Sequence, residues 1–110
     1  MPAFPQITFT IANGASLSDA QYVENSALVA LLVPGTIAGT VFSFQVSNDN
    51  STFYNVYSGG LEYTEPVTAS SATLVDIPSF LGGAYIKVRT GTSGSASAQS
   101  GDVQIIGVLR

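Results

Sequence analysis

The chain has no cysteine, no histidine and no tryptophan, and only Lys87, Arg89 and Arg110 carry positive charge among its 110 residues. Each absence excludes something. Without cysteine there is no disulfide framework and no thiolate metal site, and the compartment stays open. Without histidine or cysteine the usual general base and the strongest nucleophile are both missing. A paired-carboxylate mechanism would need two acids facing one cleft. Glu62 and Glu65 are close in sequence, but odd spacing on a strand sends them to opposite faces. The residues therefore predict a protein that is not an enzyme and that takes no cofactor. Three cations against seven acids give a net charge of −4, with no cluster able to neutralise successive phosphates. Nucleic acid is accordingly excluded as a partner. The longest apolar run, Ala27 to Val33, has seven residues, against about 18 for a membrane-spanning helix, so no membrane partner is expected. The opening MPAFPQITFT has two prolines and no basic region, unlike a secretory signal, and synthesis in the cytoplasm is expected.

Charge of either sign is scarce. Charged residues make up 9% of the chain, where ordinary domains carry about 25%. The surface must then be built from Ser, Thr, Asn, Gly and Ala. Such a surface suits packing against copies of itself or against another scaffold, because few charges need desolvation.

What the sequence does have is period-two patterning. In Phe42 to Tyr57, FSFQVSNDNSTFYNVY, Phe42, Phe44 and Val46 share one face and Ser43, Gln45 and Ser47 the other. Ser47 to Ser51 supplies a polar reversal, and Phe53, Asn55 and Tyr57 alternate on the return. Alternation around an Asn/Asp/Ser turn reads as a half-buried hairpin. Gln6 to Ile11 alternates likewise and ends at the turn signal Asn13-Gly14. Ser16 to Gln21 is polar enough for an edge strand leading to Tyr22-Val23. Ala27 to Val33, ALVALLV before Pro34-Gly35, reads as a strand buried on both faces. Leu61 to Val67 is a strand that Pro66 confines to an edge or a bulge. Thr73 to Ile77 is short, and Pro78 to Leu81 could make one helical or 3₁₀ turn. Ala84 to Thr90 places Ile86 and Val88 inward, with Lys87 and Arg89 outward and Lys87 a solvated residue. Gly91 to Gly101, rich in Gly, Ser and Ala, reads as an exposed flexible loop, and Asp102 to Leu109 as the terminal strand. Eight or nine short strands at this spacing predict an all-β fold: a two-sheet antiparallel sandwich, jelly-roll-like in preference to immunoglobulin-like. Residues 1–110 form one domain on this reading, with residues 1–6 a possible extended N-terminal arm.

Candidate sites are weighed against ordinary structural roles. Asn48, Asp49, Asn50 and Ser51 offer oxygen atoms that could suit Ca²⁺, but a hairpin turn needs the same residues, and one carboxylate makes a weak site. No metal ligands are assigned. Asp76 and Asp102 read as turn and cap residues. Tyr54, Tyr57, Tyr63 and Tyr85 could stack on sugars beside amide groups, though tyrosine also belongs in sheets and interfaces.

Two segments carry a resemblance. FQVSNDNSTFYNVYSGG, Phe44 to Gly60, and IPSFLGGAYIKVRTGTSGSASAQSGDVQIIGVLR, Ile77 to Arg110, resemble a pattern of small structural proteins of tailed bacteriophages. The shared elements are a hairpin with an S-x-D/N-x-x-x-F turn, a Y-I/L-K-V-R-T/S-G strand, an Ala/Ser/Gln-rich loop and a final apolar strand. That group includes capsid decoration (cement) proteins with jelly-roll folds. The resemblance implies a virion protein on the capsid surface, with the major capsid protein and its own copies as partners, in dimers or trimers. Contacts would then fall on the arm, through Pro2, Phe4 and Pro5, on the Gly91 to Gly101 loop, and on Tyr54, Tyr57 and Tyr85. The alternatives are a carbohydrate- or receptor-binding module of a tail or fibre, and a neck or head-completion protein. Val46 to Phe53 and Gly83 to Lys87 are also similar to the galactose-binding-like (discoidin) sandwich. The chain departs from that pattern with Asn50 for the usual Gly, no Trp, and Lys87 for the usual Arg.

Overall fold

The computed structural model describes residues 5–23, 26–75 and 84–110. Eleven strands are present among them: β1 (Gln6–Ile11), β2 (Gln21–Tyr22), β3 (Leu28–Leu32), β4 (Val41–Ser47), β5 (Tyr54–Asn55), β6 (Tyr57–Ser58), β7 (Leu61–Glu62), β8 (Thr64–Pro66), β9 (Ala72–Leu74), β10 (Tyr85–Thr90) and β11 (Val103–Leu109). The predicted eight or nine become eleven because the stretch after the 47–51 turn breaks into short pieces. The first sheet has the order β1-β11-β3-β9; the second has β2-β10-β4-β5, with β8 also paired to β4. Every pairing is antiparallel. The pairing is nested: β1 lies against β11, β2 against β10, β3 against β9, and β4 against β5 and β8. Chain order thus alternates between the sheets, and the strand at the chain's end sits in the middle of the first sheet.

Alternation in the sequence decides what points inward. Phe9, Ile11, Leu28, Leu31 and Ile105 of the first sheet meet Phe42, Phe44, Ile86 and Val88 of the second, all fully buried. Gly107 on β11 leaves room where the side chains of Phe9, Leu28 and the partly buried Ile7 converge. A Cβ there would stand 2.9 Å from Phe9 Cε2 and 3.0 Å from both Ile7 Cγ1 and Leu28 Cδ1. Pro66 ends β8 opposite Val41 at the margin of the second sheet, where its missing N–H breaks no ladder.

Several expectations need correction. The return arm of the central hairpin pairs with β4 at Tyr54 and Asn55, and the Val56 N–H adds one bond to the Phe44 carbonyl at 3.1 Å; the chain then leaves as the separate β6–β7 ribbon and rejoins β4 at β8. The run ALVALLV is a strand, but it is covered on one face only. Leu28, Leu31 and Val33 are buried, whereas Ala30 is half-buried and Leu32 is 37% exposed. The 91–101 stretch is not a free loop. Gly91, buried with φ +94°, packs so closely that a Cβ would fall 2.5 Å from the Ser95 carbonyl. Gln99, 2% exposed, accepts the Ala38 N–H and donates to the Ala38 carbonyl, both at 2.9 Å, and donates to the Thr90 hydroxyl at 3.0 Å. The proposed turn at Pro78 to Leu81 lies outside the described residues.

Candidate functional site

The outer face of the second sheet carries Lys87 and Arg89, two of the chain's three cations. Register places Tyr22, Tyr85 and Ser47 in one row, Lys87, Gln45 and Asn55 in the next, and Arg89 and Ser43 in a third. Both cations face outward as the alternation predicts, but neither stands free in solvent, as was expected of Lys87. Lys87 is half-buried, with Nζ 4.3 Å from the centroid of the Phe53 ring. Arg89 is 6% exposed because the β6–β7 ribbon folds over it. Its guanidinium donates to Glu62 Oε2 at 3.2 Å, to Ser43 Oγ at 3.3 Å and to Asn55 Oδ1 at 2.7 Å. Glu62 in turn accepts the Ser93 N–H at 3.0 Å and its hydroxyl at 3.2 Å. One ion pair therefore fastens the sheet, the ribbon and the 92–95 turn together. Its donors and acceptors are consumed internally, so it positions backbone rather than offering a reactive group.

The 47–51 turn is likewise closed on itself. Asp49 Oδ1 accepts the N–H groups of Ser51 at 2.9 Å and Thr52 at 3.0 Å, and the Ser47 hydroxyl at 2.8 Å. These bonds, the Thr52 N–H foremost, hold the Asp49 carboxyl below the ordinary aspartate range. Asn50 takes φ +58° at the reversal, which Asn tolerates. Among the described residues, no three His, Cys, Asp or Glu side chains gather as metal ligands.

The predicted contact residues do not form one site. Pro2 and Phe4 lie outside the described residues. Pro5 is exposed and its carbonyl accepts the Leu109 N–H at 2.8 Å, which ties the start of β1 to β11. Tyr54 is 62% exposed and sits opposite Val46, on the core side of the second sheet; Tyr57 is 58% exposed on the β6–β7 ribbon. Tyr85 lies on the opposite, outer face, its ring 4.9 Å from that of Tyr22. Tyr63 is not available for stacking on a ligand: it packs on Phe44 at 5.6 Å and donates its hydroxyl to Glu65.

The sequence reading missed a second surface. On the outer face of the first sheet, one row runs Gln6, Val108, Ala30, Leu74 and the next Thr8, Ile106, Leu32, Ala72. Thr10 and Gln104 complete the face. No charged residue occurs in these rows. Leu74 is 77% exposed and Leu32 37%, with Ile106 and Val108 half-buried between their neighbours. The apolar outward positions of ALVALLV and of QIIGV were the available signal.

The free side of β1 is guarded. The Asp19 carboxylate accepts the Thr10 N–H at 2.9 Å and the Asp19 N–H donates to the Thr10 carbonyl at 3.2 Å. A carboxylate placed there discourages strand addition at that point.

Compared with known proteins, the chain matches no protein-family model, no curated protein and no solved structure.

Proposed function

We propose that this chain is a non-enzymatic virion protein that decorates and stabilises the outer surface of a tailed-phage capsid by binding the major capsid protein. The observation that carries the reading is the amount of large neutral side chain left in solvent on a domain so poor in charge. Tyr22, Tyr54, Tyr57, Leu32, Leu61 and Leu74 are all exposed. A domain that works alone in water has little use for such a surface, whereas one that docks in a lattice buries it.

The nested pairing of β1 with β11, β2 with β10, β3 with β9 and β4 with β5 and β8 supports a jelly-roll reading, the fold of the decoration proteins that the sequence resembles. The mechanism is mechanical. Copies dock across capsomer boundaries, and each standard interface of about 1,600 Å² raises the work needed to separate them. Repetition over the shell adds avidity without new contacts. The exposed tyrosines suit the shell contact, since an aromatic ring with a polar tip buries area at little entropic cost. A glycan-binding role is less well supported, because Tyr54 and Tyr85 lie on opposite faces of their sheet.

The test is the copy number of the polypeptide in purified virions, by quantitative mass spectrometry against the major capsid protein. A ratio within a few-fold of the capsid protein is expected. A handful of copies, or none, overturns the decoration role and favours a neck or tail position.

A further inference from the structure

We propose that Asn13 is a site of self-modification: its side chain deamidates through the Gly14 nitrogen, and the native turn sets the rate by holding that nitrogen in place. The inference does not rest on the capsid reading.

Asparagine occurs at positions 13, 25, 48, 50 and 55, and Asn13 alone precedes a glycine. The following residue matters because the reaction is intramolecular. Its backbone nitrogen attacks the asparagine Cγ, and a side chain on it obstructs the approach. Ser26, Asp49, Ser51 and Val56 all carry one, whereas Gly14 does not. A Cβ placed on Gly14 would meet no atom within 4 Å, and Asn13 and Gly14 are both exposed, so water reaches the turn freely. Asn55 is engaged besides, since its Oδ1 accepts Arg89 Nη2 at 2.7 Å.

The chemistry needs no partner. A bond forms from the Gly14 nitrogen to Asn13 Cγ, the bond from Cγ to the side-chain nitrogen breaks, and the Gly14 amide proton leaves with that nitrogen as ammonia. Water then opens the five-membered imide at either carbonyl. One opening gives aspartate; the other gives isoaspartate, with the main chain rerouted through the side chain. Nothing is oxidised or reduced, and water is the co-reactant.

The fold gates the first step. The Gly14 N–H donates to the Gln99 carbonyl at 2.8 Å, and the Gln99 N–H donates to the Ala15 carbonyl at 2.9 Å. Gln99 is itself fixed by its buried side chain on Ala38 and Thr90. On the other side, the Asn13 N–H donates to Asp102 Oδ1 at 2.8 Å. The Ala15 N–H closes the turn on the Ala12 carbonyl at 2.9 Å. A nitrogen whose proton is engaged, in a peptide plane held from both ends, cannot swing onto Cγ. Deamidation therefore runs through the opened turn, and its rate reports that opening.

The products hold the turn less well than asparagine does. The imide has no Gly14 N–H to give to Gln99. Aspartate sets a second carboxylate beside Asp102 and takes the net charge from −4 to −5. Isoaspartate lengthens the backbone by one carbon inside the turn. Transient opening at the end of β1 is thereby recorded as a permanent covalent change.

Peptide mapping by mass spectrometry tests this on the full chain at pH 8 and 37 °C, folded and in 6 M guanidinium chloride, through the gain of one mass unit. In denaturant Asn13 should convert before every other asparagine. Folded, it should convert at least about tenfold more slowly, the rate equivalent of one retained hydrogen bond to a charged acceptor. Asp102→Ala, at an exposed position, should raise the folded rate about tenfold and leave the denatured rate unchanged. Hydrogen exchange on wild type supplies a measurement that needs no variant: the Gly14 amide should be protected. Equal folded and denatured rates overturn the inference, as does an unprotected Gly14 amide. Earlier conversion of another asparagine in denaturant overturns it too, as does a folded Asp102→Ala that converts no faster than wild type.

Discussion

Replacing Glu62 with alanine should destabilise the protein by about 2–3 kcal/mol. The substitution removes the acceptor for Arg89 at 3.2 Å and for the Ser93 N–H at 3.0 Å. It strands a guanidinium whose side chain is 7% exposed, under a ribbon that Glu62 itself anchors. Breaking a buried pair from one side costs about 3–5 kcal/mol. The lower end applies, because the Glu62 side chain is 12% exposed and Arg89 keeps Asn55 and Ser43. For 110 residues one kcal/mol moves the melting temperature by about 4 °C, so the expected loss is about 8–12 °C. Differential scanning calorimetry on wild type, Glu62→Ala, Arg89→Met and the double variant completes a cycle. The double variant should lose less than the sum of the singles by at least about 1.5 kcal/mol, since no charge is then left without its partner. Added salt should change the loss little, as partly buried pairs are weakly screened. A loss below about 0.5 kcal/mol for Glu62→Ala, or strict additivity, would refute the reasoning.

Two further outcomes follow from the loops. Gln99→Ala leaves the Ala38 N–H and carbonyl and the Thr90 hydroxyl without their side-chain partner. It should lower the urea midpoint by the equivalent of about 2–3 kcal/mol at unchanged m, and an unchanged midpoint would mean that water replaces the amide. For Asp49 the direction of the pH effect is fixed. Its folded carboxyl titrates below the unfolded one, so its stabilisation is full above the unfolded value of about 3.9 and fades as pH falls through the folded value. The melting-temperature gap between wild type and Asp49→Asn should be constant from about pH 5 to 8 and should shrink below about pH 4. A gap that persists unchanged to pH 2 contradicts it.

The parts legible in the sequence were those where one physical signal acts alone. β1, β4, β10 and β11 each turn every second side chain towards the core, and period-two alternation found them together with their inward residues. Pro66 was read as an edge residue for the N–H that it lacks, and β8 lies at the margin. Composition misled in the 91–101 segment, because smallness allows close packing as readily as it allows motion. Gly91 and Gln99 are fixed by contacts with Val41, Ala38 and Ala15, 50 to 84 residues away in sequence. Arg89 was read as outward and is so, but alternation gives only the face; the ribbon that covers that face is a tertiary event. ALVALLV was read correctly as a strand but wrongly as one buried on both faces, because its outward Ala30 and Leu32 are as apolar as its inward residues. The described chain supplies only one of the two coverings. The tyrosines were named individually, and no local pattern shows that Tyr54 and Tyr85 fall on opposite sides of a sheet.

The central proposal is that the protein is a component of a capsid shell. The most direct measurement is its copy number in purified virions, by quantitative mass spectrometry against the major capsid protein. The account predicts a ratio within a few-fold of the capsid protein; a handful of copies, or none, would contradict it.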